Sequence, residues 1–557
     1  MARRMLVALA LCACPAAWAA TLDVAWLRDG QVTSLQLGRD AATSTPAADG
    51  ARPVPLGSLW KLFVYLYATD NGIAMPDYHC TGRDREETYC CAPGGAVDRD
   101  DALAQSCGPF FAPARLMLGR APWRRYWEGR LGAPLTGELE WLGAPERLTP
   151  DRTVRLQSLL RALAAAPPAA RTEAESALLR VVLDGRGAGA VRWFGSRLRV
   201  KTFSWHVPGD PARRLGGGAG WLADGTPVWF AGEGTSAAIF DRWGAQLAAA
   251  LPPARATDSG CVVVDYFTRY PIRGVRGETG PAPAGPLAGR YVVEFANGRH
   301  LALRSDGEMT LLVEHGRQRL QGRFGTNEYV ARVIDREGGT DRPEAAKALA
   351  VAARSYLLQH ARPEASCQRI ADSTAAQRVS PSPVSARALA AAQWTDRLVI
   401  QDQPVQYHGT RAAPGMLSWT DALDQASAGR TFDAILARAY PRAVLATVGA
   451  AQRCVRLYDT ERWLAQALPR WERVLRAEPG YERPRQPPVV CALPAGAPYS
   501  EQSRNRVFMR PLATREDRIT LAHEYLHIGL RNHPRGQDEA YVERLARRLA
   551  DPELGGM

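Results

Sequence analysis

The segment that most constrains this chain is its first twenty residues, because they determine the compartment in which the rest of it folds. Residues 1–20 carry two arginines near the start, continue as an uncharged apolar stretch and reach Ala17-Trp18-Ala19. A charged start, an apolar middle and an A-x-A end are typical of a secretory signal peptide. We therefore expect residues 1–19 to be removed and the mature chain to be periplasmic. No later apolar run is long and free of charges, which predicts a mature chain without a transmembrane helix.

An exported chain meets an oxidising environment, so its cysteines are the next constraint. Eight of them lie beyond the signal: Cys80, Cys90, Cys91, Cys107, Cys261, Cys367, Cys454 and Cys491. An even number of cysteines in an exported protein predicts disulfides. The sequence does not give their connectivity, since eight cysteines allow 105 pairings.

The composition predicts several globular domains with an unusual choice of basic residue. The chain has 557 residues, a net charge of +13 and 70 basic residues, yet only three of these are lysine: Lys61, Lys201 and Lys347. A desolvated lysine can lose its proton and act as a base, whereas arginine stays charged. Each lysine is therefore a candidate for a chemical role. The basic residues form no dense runs, so the charge does not predict a nucleic-acid partner.

The segment 20–255 contains a serine and a lysine at a spacing that suits nucleophilic catalysis. Ser58 and Lys61 are three residues apart, so they share one face of a predicted helix. A neutral lysine there can take the serine proton. Ser106-Cys107-Gly108 and Lys201-Thr202-Phe203 follow further along the chain.

This order of motifs resembles the penicillin-binding protein and serine β-lactamase superfamily. The resemblance implies a β-lactamase/transpeptidase-like α/β domain with Ser58 as nucleophile and Lys61 as base. It also implies Ser106 as the second serine and Lys201 as the lysine of the strand that borders the pocket. The superfamily usually has asparagine where this chain has Gly108, and glycine where it has Phe203.

The segment 256–448 contains Glu337, an alanine-rich run that starts at Pro343 and includes Lys347, and later Asp372-Ser373-Thr374 and Tyr407-His408. Alanine after an initial proline predicts a helix. Together these pieces resemble the SpoIID/LytB family of peptidoglycan lytic transglycosylases. The resemblance implies a mixed α+β domain in which Glu337 is the catalytic acid. Lys347, Tyr407 and His408 are then candidates for substrate binding.

Before these motifs, the Pro/Gly-rich residues 280–286 predict a loop or linker.

The segment 449–557 contains His523-Glu524-Tyr525-Leu526-His527. Thr514, three residues before Asp517, predicts a capped helix start, and on that helix His523 and His527 lie one turn apart. This pattern is typical of Zn²⁺ peptidases, in which the intervening glutamate is the general base.

Two residues of that segment are candidates for the third zinc ligand. His533 lies six residues beyond His527, as in the metzincins, and Glu539 begins a second predicted helix, as in the gluzincins. The sequence favours Glu539, because a following helix holds a ligand rigidly. We expect a small, mostly helical, zincin-like domain.

As a whole the chain resembles the YfaQ-like proteins, an uncharacterised family of exported bacterial proteins, and we expect an α+β multidomain architecture. The resemblances of the first two segments converge on peptidoglycan as the binding partner. The leading hypothesis is a periplasmic cell-wall remodelling protein with a lytic-transglycosylase-like site at Glu337. The second is a zinc metallopeptidase that uses Glu524 and has wall-recognition domains. The third is a non-catalytic wall-binding scaffold that assists a protein partner in the envelope.

Overall fold

The fold is known from a computed structural model. It describes residues 21–38, 44–46, 50–180, 193–207, 210–253, 260–401, 404–411, 413, 415–441, 443–448, 456–484, 486–493, 497–502, 505–536 and 538–550. The expected signal peptide and Cys454 lie outside the described residues. Among the helices within these ranges, none is both long and apolar enough to cross a membrane.

The α-helices within the described ranges are α1 (Trp60–Asp70), α2 (Arg99–Gln105), α3 (Arg120–Leu131), α4 (Leu156–Ala164), α5 (Pro168–Arg180), α6 (Ser236–Ala250), α7 (Thr326–Glu337), α8 (Pro343–His360), α9 (Ala386–Trp394), α10 (Trp419–Ser427), α11 (Phe432–Ala439), α12 (Tyr458–Leu475), α13 (Arg515–Gly529) and α14 (Glu539–Ala550).

The strands within the same ranges are β1 (Leu22–Arg28), β2 (Gln31–Leu37), β3 (Ser44–Pro46), β4 (Pro53–Pro55), β5 (Tyr78–His79), β6 (Ala96–Val97), β7 (Thr153–Arg155), β8 (Leu198–Val207), β9 (Asp210–Leu222), β10 (Pro227–Glu233), β11 (Cys261–Tyr266), β12 (Ile272–Gly277), β13 (Gly280–Pro281), β14 (Gly285–Phe295), β15 (His300–Glu314), β16 (Arg317–Gly325), β17 (Arg362–Glu364), β18 (Cys367–Ala371), β19 (Leu398–Gln401), β20 (Gln406–His408), β21 (Met416–Ser418), β22 (Val444–Thr447), β23 (Val489–Ala492), β24 (Tyr499–Glu501) and β25 (Arg506–Met509).

The first structural unit is built on an antiparallel sheet in the order β3-β2-β1-β10-β9-β8. Helix α6 packs on one face of this sheet, where Phe230, Phe240 and Trp243 belong to one apolar core. Helices α1 to α5 contribute to a larger core on the other face. Helices on both faces of a sheet confirm the mixed α+β class predicted for the chain.

Helix α1 lies at the centre of that larger core. Seven consecutive residues, from Leu62 to Ala68, are buried. A helix that is apolar on all sides belongs inside a core. Its position fixes two polar side chains at its start: Ser58, in the 3-10 turn Gly57–Leu59, and Lys61, in the first turn of the helix.

Disulfides are present, as predicted from the even cysteine count. Cys80–Cys91 lies within the segment between α1 and α2, and Cys90–Cys107 attaches that segment to the chain just beyond α2. Cys261–Cys367 joins the neighbouring strands β11 and β18. Cys491 is also disulfide-bonded. The fold therefore suits an oxidising compartment.

The second unit contains an eight-stranded sheet in the order β13-β12-β14-β15-β16-β11-β18-β17. The prediction of a loop or linker at 280–286 is right only for residues 282–284, because Gly280–Pro281 and the residues from Gly285 onward belong to this sheet. Gly280–Pro281 forms the edge strand β13, where a missing N–H is tolerated. Gly280 and Gly285 have φ angles of 127° and 129°, which require glycine. Local composition alone does not distinguish such an edge from a linker.

Helix α8 is the centre of the helical layer of the second unit and contacts α7, α9, α10 and α11. It begins with Pro343 in its first turn, as predicted. Small buried side chains allow its neighbours to approach closely; they are Ala345, Ala346, Ala348, Ala350, Ala352 and Ala353.

The third unit packs α12, α13 and α14 on a three-stranded sheet in the order β23-β25-β24. Helix α13 starts with the predicted capping box. The Thr514 hydroxyl accepts the Asp517 N–H at 3.2 Å, and the Asp517 carboxylate accepts the Thr514 N–H at 2.7 Å. Helices α13 and α14 pack side by side, which brings the histidine motif next to the helix that follows it.

The third unit also contacts the first. The backbone N–H of Gln502 donates to the Asp77 carboxylate at 3.0 Å, and Arg99 lies 3.9 Å from the Glu501 carboxylate. These contacts join the end of β24 to the segment after α1 and to the first residue of α2.

Candidate functional site

The first candidate site centres on Glu337, the last residue of α7. The helix ends because Gly338 follows with a non-helical backbone. A Cβ at Gly338 would lie 2.6 Å from the Leu349 side chain and 3.2 Å from Trp419, so glycine is required for this close approach. Helices α7 and α8 therefore meet tightly just after Glu337 and fix its position.

The Glu337 carboxyl is partly buried and has two hydrogen-bond donors. The backbone N–H of Arg378 donates to Oε1, and the Tyr407 hydroxyl donates to the same carboxyl group. Burial raises the pKa of Glu337 above its ordinary value, although both hydrogen bonds oppose this by stabilising the carboxylate. The charge of Asp372 raises the pKa further. A carboxyl with a raised pKa stays protonated to higher pH and can donate that proton to a substrate.

A chain of hydrogen bonds orients Tyr407. The Gln377 side-chain amide donates to the Tyr407 hydroxyl at 2.7 Å and to the Ala353 carbonyl at 3.1 Å, and the Tyr329 hydroxyl donates to the Gln377 carbonyl oxygen. Gln377 is fully buried. Sequence analysis missed Gln377 and Tyr329, because neither stands next to Glu337 in the chain; the nearest signal was the Asp-Ser-Thr motif that precedes Gln377.

The two other residues predicted to bind substrate here have structural partners. Lys347 pairs with Glu344 at 2.6 Å and lies 4.4 Å from the ring centre of Trp394. His408 is exposed, and its Nδ1 accepts the backbone N–H groups of Thr410 and Arg411, which shapes a turn. Of the predicted residues, Tyr407 is therefore the one that contacts Glu337.

The second candidate site brings together His523 and His527 of α13 and Glu539 of α14. The His523 Nε2 lies 3.1 Å from the His527 Nε2 and 3.1 Å from Glu539 Oε2, and His527 Nε2 lies 3.6 Å from Glu539 Oε1. Ligand atoms about 2.0–2.1 Å from a tetrahedral zinc are roughly 3.3 Å apart. The observed spacings therefore match three corners of such a site.

The outer nitrogens of both imidazoles face acceptors, which sets their tautomers. The Nδ1 of His523 lies 3.1 Å from Glu543 Oε2, and the Nδ1 of His527 lies 3.2 Å from the Gly536 carbonyl. A carboxylate or a carbonyl oxygen can only accept, so each Nδ1 donates, and in the neutral imidazole, the form that binds a metal, Nε2 keeps its lone pair. Two lone pairs and the Glu539 carboxylate thus converge on a point where a cation fits.

Glu524 is buried beside this cluster. Its carboxyl is hydrogen-bonded to the Ser500 side chain, and burial raises its pKa while the neighbouring histidines lower it. The alternative ligand His533 lies elsewhere. Its ring stacks on Tyr541 with centres 5.1 Å apart, and its Nδ1 accepts the Arg535 N–H at 2.9 Å. Sequence analysis missed Glu543 and the Gly536 carbonyl, because only the packing of α14 and the preceding loop brings them to the histidines.

The third candidate site joins Ser58 to Lys61, whose Nζ lies 3.3 Å from the serine Oγ. Burial lowers the pKa of Lys61 to about 8. Lys201 on β8 is buried as well, and burial together with the charge of Lys61 lowers its pKa to about 7. The two lysines are therefore close neighbours, and each exists partly in the neutral form near neutral pH.

Phe203 and Ser106 shape this third site. Phe203 is buried against Gly57, where a Cβ would lie 3.0 Å from the Phe203 Cβ. Ser106 has a left-handed backbone with φ of 72°, and its Oγ has no hydrogen-bond partner among the residues that the structure describes. The side chain at 203 therefore narrows the space next to the nucleophile.

Two known families match parts of the chain. A family described as a predicted secreted protein (DUF2300) matches residues 82–212 and 415–535. The SpoIID family, described as a stage II sporulation protein, matches residues 315–401, which include Glu337 and Gln377. Together with the disulfides, the first match indicates an exported protein, and the second suggests a cell-wall related role.

A relative covers almost the whole chain. Uncharacterized protein YfaQ from Escherichia coli (strain K12) is 43% identical over 528 residues, which are 94% of this chain and 94% of that protein. The chain belongs to the YfaQ family.

Solved structures similar to this chain include β-lactamases. An ancestral class A β-lactamase of Gram-negative bacteria is 16% identical and covers 42% of this chain and 94% of its own, with a TM-score of 0.25. A β-lactamase from Burkholderia phymatum is 15% identical at the same coverage, with a TM-score of 0.25. TM-scores of this size do not establish a common fold.

Proposed function

We propose that this protein remodels peptidoglycan in the periplasm and that Glu337 is the general acid that cleaves the glycan strand. The observation that carries the proposal is the protonatable carboxyl at the end of α7, whose pKa burial raises and whose orientation Tyr407 holds. The SpoIID match over this segment supports a wall polymer as substrate. The net positive charge of the chain suits a polymer whose peptide stems carry carboxylates.

The proposed reaction needs one carboxyl group. Glu337 donates its proton to the glycosidic oxygen as the bond from the anomeric carbon to that oxygen breaks. The C6 hydroxyl of the same sugar closes on the anomeric carbon, and its proton returns to the Glu337 carboxylate. No water has to be activated, so a second carboxylate on the opposite face of the sugar is not required. Tyr407 keeps the carboxyl oriented through both steps.

The test compares two variants on purified peptidoglycan. Glu337→Gln preserves the size of the side chain but has no proton to donate, so release of anhydro-muropeptides should fall at least a hundredfold. Glu278→Gln, an exposed position in the same unit, is the matched control and should release them like the wild type. Equal release by the Glu337 variant refutes the proposal, and wall binding without release by any variant favours the non-catalytic scaffold.

A second candidate function, that of a zinc metallopeptidase, is supported by the geometry of the histidine cluster. His523, His527 and Glu539 would hold the ion, and their donor types and spacings fit zinc. Zinc supplies a Lewis acid that polarises a peptide carbonyl and activates water. Glu524 would take the proton of the attacking water and pass it to the amine that leaves.

Metal content separates this candidate from the first. The purified mature protein should carry one zinc per chain, and His523→Ala and Glu539→Ala should lose it. His533→Ala is the control and should retain it, because His533 stacks on Tyr541 instead. Glu524→Gln should keep the metal and lose cleavage of peptidoglycan stem peptides. A wild-type protein without zinc contradicts the metallopeptidase and leaves the proposal for Glu337 intact.

A further inference from the structure

The space next to Gly108 is filled by a residue from another part of the chain. A Cβ at Gly108 would lie 2.0 Å from Glu86 Oε2, and the Lys61 Cε lies 3.8 Å from the same point. Glu86 therefore places its carboxylate where a side chain at position 108 would begin. Both groups border the Ser58–Lys61 pair, so a carboxylate stands at the position where the superfamily pattern has asparagine.

The segment that carries Glu86 is held at both ends. Glu86 lies in the 3-10 turn Arg85–Tyr89, which has Cys80 before it and Cys90 and Cys91 after it. The disulfide Cys80–Cys91 closes the loop around this turn, and the disulfide Cys90–Cys107 starts at the residue that follows it. The second disulfide attaches this turn to the residue directly before Gly108. The loop and the space that it fills are thus covalently joined.

The neighbouring carboxylate braces the same loop from within. Glu87 is buried and accepts the Thr81 N–H at 3.0 Å and the Tyr78 hydroxyl at 2.7 Å. The hydrogen bond from the Thr81 backbone is the main reason that the pKa of Glu87 falls to about 2. Glu87 thus holds the loop together from within, whereas the carboxylate of the adjacent Glu86 lies beside Gly108.

The charges around Lys61 explain what Glu86 can do there. The side chains around Lys61 in the described part of the chain include Ser58, Lys201, Glu86 and the ring of Trp60. Burial favours a neutral Lys61. The Glu86 carboxylate opposes this effect and favours the ammonium. Among the groups that face Lys61, Glu86 is the one that supplies negative charge.

We propose that Glu86 is a positioning residue of an acyl-transfer site formed by Ser58 and Lys61, and that the disulfide-braced loop holds its carboxylate in the space left by Gly108. The substrate class is an acyl donor with an amine leaving group. Ser58 Oγ forms an ester with the acyl carbon, and its proton passes to neutral Lys61. The bond from that carbon to nitrogen breaks, and Lys61 gives the proton to the leaving amine. Glu86 stabilises the Lys61 ammonium between these two transfers.

The scarcity of lysine makes this proposal directly measurable. With only three lysines in the chain, selective isotope labelling yields three side-chain NMR signals, which Lys61→Arg and Lys201→Arg assign. In Glu86→Gln, the titration midpoint of Lys61 should fall by about 0.5–1 pH unit, because the opposing charge is gone. Lys347, in the second unit, serves as the internal reference. Glu146→Gln, an exposed charge change in the first unit, is the control and should leave the midpoint unchanged.

A second variant tests the geometry without removing the charge. Gly108→Ala has a permissive helical backbone, but its methyl group needs the space of Glu86 Oε2. It should displace the carboxylate and lower the Lys61 midpoint in the same direction. An unchanged midpoint in both variants overturns the proposed role of Glu86.

Reactivity tests the acyl-transfer part of the proposal. A fluorophosphonate probe should label the wild type but not Ser58→Ala, and labelling should increase as pH rises through the Lys61 midpoint. In Glu86→Gln this increase should move to lower pH together with the NMR midpoint. A wild type that the probe does not label at Ser58 overturns the acyl-transfer site, whatever the outcome at Glu337.

Discussion

The hydrogen bond from His523 to Glu543 provides a quantitative test of the metal site. Glu543 Oε2 lies 3.1 Å from the His523 Nδ1 and keeps the opposite nitrogen free for a metal. Removal of such an outer partner typically weakens metal binding 10–100-fold. Glu543→Gln retains an acceptor but loses the charge, so zinc affinity should fall about tenfold, or ~1.4 kcal/mol. Glu543→Ala loses both and should approach 100-fold.

The assay is competition for zinc against a chelator of known affinity at fixed pH. Glu516→Gln is the control, because Glu516 also pairs with Arg547 but does not contact the histidines. The same affinities are measured at two pH values. Loss of imidazole orientation weakens zinc binding at both, whereas protonation of the histidines weakens it only at the lower pH. Wild-type zinc affinity in Glu543→Ala would refute the assignment of the tautomers, and with it the geometric argument for the site.

Three further predictions concern the other elements of the structure. Because burial raises the pKa of Glu337, its acid form is lost as pH rises through that raised value, so muropeptide release should decline at alkaline pH; a flat profile from pH 5 to 9 contradicts this. Tyr407→Phe removes a hydrogen bond that lowers the pKa of Glu337, so the declining limb should move to higher pH while the unfolding midpoint stays within a few degrees. Thr514→Ala removes the cap of α13 and should cost about 1 kcal/mol in a chemical denaturation curve; no measurable loss would contradict the role of the capping box.

Local patterns in the sequence were sufficient to predict several parts of the candidate sites. Ser58 and Lys61 are three residues apart, and His523 and His527 are four apart, so helical geometry alone places each pair on one face. The same reasoning found the Thr514 cap and the start of α8 at Pro343. These predictions depend on backbone geometry within one or two turns, which the order of residues specifies.

Other parts depended on contacts that no local pattern describes. The choice of Glu539 over His533 required the turn between α13 and α14, which directs one side chain to the histidines and the other onto Tyr541. The contact of Gln377 with Tyr407 joins residues 30 apart in the chain. Within the predicted linker at 280–286, Gly280–Pro281 pairs with β12 and Gly285 begins β14, although the local preference of proline and glycine is for loops.

The sequence by itself predicted the export signal, the cysteine framework without its pairing, the helices that carry Lys61, Lys347 and His523, and the family of the chain. The tertiary structure alone decided which groups surround them. A side chain acquires an unusual proton affinity only when packing removes water from it and brings another charge or dipole within a few ångströms. Glu86 illustrates this, because a disulfide-braced loop carries its carboxylate into the space beside Gly108, and nothing in the residues next to Glu86 indicates that destination.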